Sequence, residues 1–598
     1  MEASVLSLPQ NDGYFEQIKR KIENEIAQTF YTYEAVAGLP MPTASTSAVL
    51  RSAVLPRGLQ WGIDQGINNF RLNAELAEFD EKWKSKGSPK RFAVINDFAD
   101  FFITSDKSRV ADERFAPFDK PRVVDNWNTD ASFANQRVAG LNPMALNRVT
   151  SDGSGVGLDW TGLRAKLSAQ LVDAMTSEFP TGIADAIAAK RLYAADYVDL
   201  QKAGVTGKEC AGAQAGRVLM APIGLFFSPP SGNGLSPVGI QLDQPATSPW
   251  ATPRSSSGTT WNAAKVYYQA ADVSLNQIVN HLGMTHLIQS SFALATLRQL
   301  ATVHPLFALL TPHYVGLLPI NDLGGRTLLN QGGIVDQILE PGLEGGLRLI
   351  QAAYRRWQQF FDLDPDADLA QRGCDDTSAL PYFPYRDDGK LIWGLIGDYV
   401  KDYLQLFYGD PKTDPQRTAQ AVQQDYELQA WAQELAHASP EGGNVPAFPS
   451  PIQDFDTLHR VVRLLIWIAG PRHASVNFPQ TEYTAFVPNQ PTAIYLLPDA
   501  VSNNFILDMM PPVEKSRTQF QISYQLAGLY FDQMLDYSSN FDGGGIDGRA
   551  KEIVASYKEK LDTAITVEIN GRNQERQRLG LLPYPYFLPK NIPNGTSV

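Results

Sequence analysis

The sequence contains only two cysteines, Cys210 and Cys374, among 598 residues. Two thiols can form neither a disulfide framework nor a cysteine-based zinc site. The chain also lacks any apolar run of eighteen residues, and its first ten residues lack the basic and apolar regions of a signal peptide. These absences predict a cytoplasmic protein without a transmembrane helix.

Positive charge is also scarce, because 64 acidic residues outnumber 51 basic ones and give a formal net charge of −13. Nucleic-acid backbones attract clustered Lys and Arg, so this balance argues against nucleic acid as a partner. Apolar residues make up 43% of the chain and charged residues 19%, which is typical of a globular protein with a large core.

Helical periodicity begins near the start of the chain. Phe15, Ile18, Ile22, Ile26 and Phe30 are spaced three and four apart, which predicts an amphipathic helix. We favour a helix that docks on the body of the protein. Peripheral contact with a membrane surface is the alternative for such a helix.

One stretch differs from the helical pattern. Two apolar runs, at residues 219–227 and 238–242, flank a loop rich in Ser, Pro and Gly, and this arrangement predicts a β-hairpin. Residues 163–193 and most of the chain beyond residue 260 follow a helical pattern. The sequence therefore predicts a mainly α protein with a small β-hairpin or sheet region.

Histidine is scarce and unevenly placed, since four of the seven histidines lie between His281 and His313. His281 and His286 are five residues apart in a long predicted helix. On a regular α-helix their side chains would point about 140° away from each other. An inserted π-turn would bring both rings onto one face. The pair is therefore either two unrelated core histidines or a metal site on a distorted helix.

A second candidate cluster lies downstream, where His473 and Asn477 are four residues apart and share one face of a predicted helix. Three imidazoles with oxygen donors suit iron or manganese better than a structural zinc ion. No acidic residue lies beside these histidines, so the C-terminal carboxylate is the candidate for the missing negative charge. From spacing alone, hydrogen-bonded core histidines are the commoner outcome.

Ordered motifs along the chain closely resemble those of the lipoxygenase family. In chain order they are Phe133-Ala-Asn-Gln-Arg137, Arg191-Leu-Tyr193-x-x-Asp196-Tyr197, Trp261-x-x-Ala264-Lys265, His281-x4-His286, His304-Pro305, Leu310-Thr-Pro312-His313, Tyr385-Arg-Asp387-Asp388-Gly389, His473-Ala-x-Val-Asn477 and Ile592-Pro593-Asn594-Gly-Thr-Ser-Val598. The resemblance implies a helical catalytic domain at residues 111–598, built around a long metal-binding helix. A helical extension at residues 1–110, packed on this body, is expected in place of the family's N-terminal β-barrel.

The resemblance also implies a ligand set for a non-haem metal. The five implied ligands are His281, His286, His473, Asn477 and the terminal carboxylate of Val598. Iron is the implied metal, and manganese is the alternative because some manganese-containing members also end in Val. His304 and His313 have family counterparts outside the ligand set, so we assign them to packing and hydrogen bonding.

A substrate pocket is implied beside the metal. Its implied residues are Gln277, Gly324, Leu328, Val335 and Gln480. The two glutamines resemble residues that link the metal ligands to the pocket, whereas Leu328 and Val335 could equally be ordinary core residues. Gly324 aligns with a position where glycine accompanies R-configured products, and the alternative is a helix-breaking pair with Gly325.

The implied activity is that of a dioxygenase, an oxidoreductase that converts polyunsaturated fatty acids and O2 to hydroperoxides after loss of a bis-allylic hydrogen. No side chain is implied as a catalytic acid or base, because hydroxide on the metal would take the proton. A fatty-acid hydroperoxide isomerase with the same site and a metal-free lipid-binding relative are the alternatives. A monomer is expected.

Overall fold

The computed structural model describes residues 5–102, 112–179, 182–210, 215–438, 441–538, 541 and 545–598. Helices account for most of them, which confirms the predicted mainly α class. None of the helices in these described ranges combines the length and hydropathy that a membrane span requires. The α-helices are α1 (Tyr14–Phe30), α2 (Thr46–Ala53), α3 (Pro56–Ser85), α4 (Asp130–Ala139), α5 (Trp160–Lys166), α6 (Ala169–Thr176), α7 (Ile183–Ala188), α8 (Gly258–Leu275), α9 (Ile288–Gln299), α10 (Pro305–Leu310), α11 (Leu317–Thr327), α12 (Ile334–Ile338), α13 (Gly342–Arg356), α14 (Pro365–Gln371), α15 (Pro384–Tyr408), α16 (Pro415–Gln424), α17 (Tyr426–Ala436), α18 (Phe455–Trp467), α19 (His473–Asn477), α20 (Gln480–Tyr483), α21 (Phe505–Met509), α22 (Val513–Ala527), α23 (Gly545–Lys560) and α24 (Thr566–Arg578).

The strands form one six-stranded sheet and two small two-stranded ones. They are β1 (Tyr33–Glu34), β2 (Thr43–Ala44), β3 (Asn147–Thr150), β4 (Leu158–Asp159), β5 (Leu192–Asp196), β6 (Lys208–Glu209), β7 (Val218–Leu219), β8 (Ile223–Phe227), β9 (Ser236–Gln241) and β10 (Trp250–Ala251). In the larger sheet the order is β10-β9-β8-β5-β3-β4, and β8 and β9 pair antiparallel as the predicted hairpin. The helical prediction for residues 163–193 is wrong at its end, where the chain enters β5.

The larger sheet packs on α8 at a point of very close approach. Gly224 on β8 lies against the ring of Tyr268 on α8, and a methyl group at Gly224 would come within 2.4 Å of that ring. A side chain at this position would therefore push the sheet away from the helix.

The centre of the molecule is a continuous helical rod made of α8, a π-helix at Asn276–Leu287 and α9. The rod begins after Ser257, whose hydroxyl accepts a hydrogen bond from the Thr260 amide. Nearly all of its side chains are buried, as expected for a helix that packs on every side. Within the π-helix the Thr285 hydroxyl donates to the Asn280 carbonyl, five residues earlier, at 2.7 Å.

A second rod packs beside the first and consists of α18, a π-helix at Ile468–Arg472 and α19. Pro471 lies inside this π-helix. Proline has no N–H group and its ring clashes with the preceding turn, so the helix widens where it occurs. The Asn276 side-chain amide donates to the Val476 carbonyl at 3.1 Å and joins the two rods.

Helix α1 docks on the body through its polar side. Arg20 is buried and donates to Glu427 at 3.0 Å. The apolar stripe instead faces solvent, with Phe15 80% and Ile22 51% exposed. The helix docks on the body as predicted, and buried ion pairs of Arg20 on its polar side anchor it there.

One hydrophobic core continues from Leu6 to Val598, and a smaller cluster lies between the larger sheet and α5 to α7. Residues of α2 and α3 belong to the main core, together with both rods. The division of the chain at residue 110 stays a prediction.

Candidate metal centre

The first π-helix brings His281 and His286 together. Their Nε2 atoms are 3.2 Å apart, and both rings are buried. The five-residue spacing places both rings on one face because the turn is widened at this point. This confirms the prediction that the helix is π-distorted between the two histidines.

The second rod supplies the third imidazole. The His473 ring centre lies 5.5 Å from that of His281 and 4.9 Å from that of His286. One ring nitrogen from each residue falls within a group whose members are all within 4.8 Å of one another, so the three can hold a metal ion. The structure therefore joins two histidine clusters that are far apart in the sequence.

Hydrogen bonds on the outer ring nitrogens set the tautomers of the first two histidines. His281 Nδ1 lies 3.2 Å from Gln277 Oε1, and His286 Nδ1 lies 3.1 Å from Asn321 Oδ1. Both amide oxygens accept hydrogen bonds, so each Nδ1 carries the proton and each Nε2 presents a lone pair. Two lone pairs that face each other at 3.2 Å repel unless a cation lies between them. Two nitrogen ligands at right angles on one ion would be roughly 3 Å apart, which agrees with this geometry.

His473 carries the most direct signal of a metal ligand. Its ring is fully buried, and neither of its nitrogens has a hydrogen-bond partner. A buried polar group without a partner is costly unless it binds an ion or another ligand. Burial, and then the neighbouring His286 and His281, lowers the pKa of His473 well below its ordinary value. Burial likewise lowers the pKa of His286 to about 4. All three rings are thus neutral imidazoles, the form that binds a metal.

Asn477 lies one turn after His473 and is fully buried. Its side-chain amide donates to the Leu526 carbonyl at 2.8 Å, so its Oδ1 atom is held in one orientation. Gln480 Nε2 donates to that Oδ1 at 2.7 Å. An amide oxygen has two lone pairs, and one of them stays available for a metal ion.

The chain end is buried beside these side chains. Val598 is 1% exposed, and its main chain lies near enough to His473 to oppose in part the lowering of that residue's pKa. His313 holds the tail, because its Nδ1 donates to the Asn594 carbonyl at 2.6 Å. The Ser597 carbonyl accepts from Trp61 at 2.6 Å. Three neutral imidazoles beside an amide oxygen fit a di- or trivalent metal ion, and a carboxylate at Val598 would add the negative charge that such an ion needs.

The remaining histidines lie outside this group. His304 Nε2 is 3.0 Å from Asp425 Oδ2, and its Nδ1 accepts from the Leu306 amide. His459 contacts the Gly397 carbonyl, and His437 is exposed. The structural role predicted for His304 and His313 agrees with these contacts.

A cavity of about 300 Å³ opens beside His281 and His286 and has a mainly apolar wall. All five residues predicted for the pocket line it: Gln277, Gly324, Leu328, Val335 and Gln480. Gly324 and Gly325 lie within α11, which continues through both to Thr327. The helix-breaking alternative for this glycine pair is therefore wrong.

Several residues of the site have no role that the sequence predicted. Asn321 orients His286, Leu526 holds Asn477, and Trp61 and Gln65 bind the tail at Ser597. Asn321 belongs to a further pair, Ile320-Asn321, that also matches the family's sequence, but the pattern assigns it no role. Trp61 is separated from its partner by 536 residues, so no local pattern indicates the contact.

Comparison with known proteins identifies the family. A lipoxygenase family profile matches residues 46–517. A linoleate 9/13-lipoxygenase from Pseudomonas aeruginosa is 32% identical over 520 residues, which are 80% of this chain and 68% of that protein. The chain belongs to the lipoxygenase family. An allene oxide synthase-lipoxygenase protein from Plexaura homomalla is 29% identical over 80% of this chain, but the match spans only 44% of that protein.

Solved structures agree with this assignment. A coral 8R-lipoxygenase has a TM-score of 0.81 and 25% identity, covering all of this chain and 83% of its own. A lipoxygenase determined anaerobically in complex with arachidonate has the same TM-score at 25% identity, over 99% of this chain and 83% of the other. The predicted family, fold and enzyme class are confirmed: this lipoxygenase is an oxidoreductase that adds O2 to polyunsaturated fatty acids.

Proposed function

We propose that this lipoxygenase holds a non-haem iron ion through His281, His286, His473, Asn477 and the Val598 carboxylate, with manganese as the alternative. The observation that carries the proposal is the pair of Nε2 atoms 3.2 Å apart beside a His473 ring without hydrogen-bond partners. When bound by these residues, the metal would supply the one-electron redox chemistry that oxygenation of a bis-allylic carbon requires. Metal analysis of the purified protein distinguishes iron from manganese.

The residues of the cavity position the substrate and exclude water. Leu328 and Val335 hold the pentadiene beside the metal ligands by apolar contact. Gln480 joins the cavity wall to the ligand Asn477, and Gln277 joins it to His281. A substrate that contacts either glutamine therefore changes the orientation of the metal ligand to which that glutamine is hydrogen-bonded.

Incubation of the metal-loaded protein with linoleate under air tests this function. We expect O2 uptake that matches the formation of a conjugated-diene hydroperoxide. Turnover of added hydroperoxide without O2 uptake would support the isomerase alternative. Protein that contains neither iron nor manganese would support the metal-free alternative.

We further propose that the product has R configuration. Gly324 lines the cavity, and its missing side chain leaves space beside the wall that Leu328 completes. A structural relative at 25% identity is a coral 8R-lipoxygenase. Chiral chromatography of the linoleate product tests the proposal, and a predominantly S product would contradict it.

We also propose that α1 and α3 contact a lipid surface. Phe15, Ile22 and Ile26 on α1 and Ile63 and Phe70 on α3 are all between 50% and 80% exposed. Apolar faces of this extent are typical of interfacial helices. Helix α3 also contributes Trp61, Gln65 and Asn69 to the wall of the cavity, so one of the two helices proposed to meet the lipid is also part of the substrate pocket.

Co-sedimentation with phosphatidylcholine vesicles tests this contact. The double variant Ile22→Glu, Ile63→Glu should bind the vesicles about tenfold or more weakly, because each exposed isoleucine would lose its burial in lipid. Val567→Glu is the matched control, since Val567 is 71% exposed on α24 and outside both helices. Equal binding by both variants contradicts the proposal, and loss of self-association instead would indicate a protein partner. Cytoplasmic localisation and a monomeric state stay predictions.

A further inference from the structure

The last residues of the chain are held by several parts of the molecule. His313 Nδ1 donates to the Asn594 carbonyl at 2.6 Å, and the Gln289 side-chain amide donates to the Thr596 hydroxyl at 2.5 Å. The Thr596 hydroxyl in turn donates to the Ala469 carbonyl at 3.2 Å. Gln289 belongs to the first helical rod and Ala469 to the second. The rods that carry the histidines therefore hold the tail at Thr596.

A different element, the N-terminal helix α3, holds the next residue. The Ser597 carbonyl accepts hydrogen bonds from Trp61 Nε1 at 2.6 Å and from Gln65 Nε2 at 3.2 Å. These two donors are four residues apart on α3, so they lie on one face of the helix. The Ser597 hydroxyl is buried and has no hydrogen-bond partner among the described residues. Helix α3 thus binds the main chain of Ser597 and not its side chain.

The orientation of this peptide group determines where the terminal carboxylate lies. The peptide bond between Ser597 and Val598 is planar, so the direction of the Ser597 carbonyl also fixes the position of the Val598 Cα atom. Only the two backbone rotations of Val598 then remain between the held peptide and the carboxylate. The Val598 side chain is buried, and its packing restricts the first of these rotations. A firm hold on the Ser597 carbonyl is therefore a hold on the carboxylate.

The Trp61 indole is itself fixed in place. It packs against Gly316, where a methyl group would come within 2.9 Å of the ring. Gly316 has a φ of +77°, in the left-handed region that favours glycine, and α11 begins directly after it. The indole therefore lies in a closely fitted space between the tail and the start of α11. Its N–H group cannot turn away from Ser597 without displacing that backbone.

We propose that Trp61 and Gln65 are positioning residues that hold the terminal carboxylate in the direction required of a metal ligand. A chain terminus is mobile unless it is tied down, and a ligand binds firmly only when its partners fix its orientation. This inference rests on the proposed ligand role of Val598. It adds that an N-terminal helix, and not only the two rods, determines how firmly the metal is held.

Release of the metal to a chelator tests the role of Trp61. Trp61 and Gln65 also line the cavity, so a change in activity would not separate substrate binding from metal binding. Release is therefore measured on metal-loaded protein without substrate. Trp61→Phe keeps an aromatic ring and removes the N–H donor. We expect this variant to release its metal about tenfold faster than the wild type, the usual effect of removing a partner of a ligand.

Trp83→Phe is the matched control. Trp83 is also buried on α3, and its indole donates to a main-chain carbonyl, that of Pro89, at 3.1 Å. The control thus removes the same donor from the same helix at a place outside the tail. It should release metal at the wild-type rate while it shows a change in thermal stability comparable to that of Trp61→Phe. Equal rates of metal release in the two variants would give Trp61 a packing role only and would overturn the proposal.

Gln65→Met tests the second donor, because methionine keeps the length of the side chain and removes the amide. The longer hydrogen bond predicts a smaller effect, about a twofold faster release. Gln60→Met is its control, since Gln60 is exposed on α3 and donates to Asp64. It should release metal at the wild-type rate.

The double variant Trp61→Phe, Gln65→Met leaves the Ser597 carbonyl without either donor. Two donors that share one acceptor are not independent, and the loss of both leaves a buried carbonyl unsatisfied. We therefore expect the acceleration of metal release to exceed the product of the two single effects. A double variant that releases its metal at the wild-type rate would overturn the proposal.

The metal-free protein gives a measurement that does not depend on the ligands. A carboxypeptidase can remove a buried Val598 only when the tail opens, so the rate of its release reports the open population. Metal-free Trp61→Phe should release Val598 about fivefold faster than the metal-free wild type, as expected for the loss of one hydrogen bond, and Trp83→Phe should not. Equal rates in all three proteins would mean that α3 does not hold the tail. Wild-type protein that binds neither iron nor manganese, with the fivefold difference intact, would instead refute the proposed ligand set.

Discussion

At the scale of single residues, the proposed ligand role of Val598 depends on its main-chain carboxylate and not on its side chain. Deletion of Val598 moves the chain end to Ser597, whose carbonyl is already held by Trp61. The new carboxylate would lie one residue too early to reach the imidazoles. We expect loss of the metal and of activity in this variant, measured by elemental analysis and O2 uptake.

The matched control for this deletion is Val598→Ile, which keeps the chain end in place. It should retain the metal, because the terminal carboxylate is a main-chain group and is present with either side chain. Normal metal content and turnover in the deletion variant would contradict the five-ligand set.

Gly324 gives a second prediction at this scale. A methyl group at Gly324 would meet only a Leu328 side-chain carbon, at 3.8 Å, so Gly324→Ala should fold normally and project into the cavity. We expect product from this variant to shift towards S configuration or to a different carbon, because the space beside the pentadiene is filled. Chiral chromatography measures the shift.

Gly325→Ala is the control for that substitution. Its added methyl group would meet no atom within 4 Å, and Gly325 does not line the cavity. Product from this variant should be unchanged. An unchanged product from both variants would leave Gly324 without a role in stereochemistry.

The proposed metal ligands could be predicted from the sequence only by combining the spacing of the histidines with the ordered family motifs. The spacing of His281 and His286 left a core pair as the commoner reading, and the ordered family motifs changed that balance. Asn321 and Trp61 could not be inferred in the same way. Each acts through a hydrogen bond to a distant segment, and no periodicity in the sequence reports such a contact.

At the scale of secondary-structure elements, the π-helices convert sequence spacing into site geometry. A five-residue spacing would place His281 and His286 on different faces of an α-helix, whereas the widened turn places them on one. The second π-helix contains Pro471, which explains why it widens there. The first has no proline, and there the Thr285 hydroxyl donates to the Asn280 carbonyl across the widened turn.

The contact between the sheet and α8 can be tested at Gly224. Gly224→Ala would place its methyl group 2.4 Å from the Tyr268 ring, so we expect a loss of about 1–3 kcal/mol in the free energy of unfolding from overpacking. Gly394→Ala is the control, because Gly394 is exposed on α15 and a methyl group there would meet no atom within 4 Å. It should gain about 0.5–1 kcal/mol from helix propensity. Equal thermal midpoints for the two variants would mean that the sheet can move away from α8 freely.

Periodicity predicted α1 but not the face that it presents to the body. A stripe of apolar residues shows only that one side differs from the other. The structure turns that stripe outwards because Arg20, on the opposite side, forms a buried ion pair with Glu427. The family assignment could not settle this point, since the family profile begins at residue 46. The sequence pattern likewise predicted one helical segment where the structure has the short helices α5 to α7 followed by β5. A run of buried apolar residues is compatible with either a helix or a strand.

At the scale of the whole molecule, the N-terminal helices complete the catalytic body. Helix α3 lines the cavity and binds the C-terminal tail, while α1 reaches α17 through Glu427. These contacts join the first and last parts of the chain around the two rods. Residues of α2 and α3, of the cavity wall and of both rods therefore share one connected core.

Removal of the ion pair between α1 and the body tests whether the N-terminal helices and the rest of the core are stabilised together. Arg20 and Glu427 are both almost fully buried, and Arg20→Ala would leave the Glu427 carboxylate without its cation. We expect a loss of about 3–5 kcal/mol in the free energy of unfolding, as for other buried pairs that lose one partner. Arg578→Ala, which breaks an exposed pair with Glu575, should leave stability unchanged.

The form of the unfolding curve distinguishes a unified body from an appended helix. Because the main core includes residues from Leu6 onwards, Arg20→Ala should shift one cooperative transition to lower temperature. Metal release, followed in the same experiment, should coincide with that transition, since α3 and the chain end unfold together. An early transition that melts α1 alone, with the metal still bound, would mean that the N-terminal helices are a separate unit and that the boundary lies within the first hundred residues.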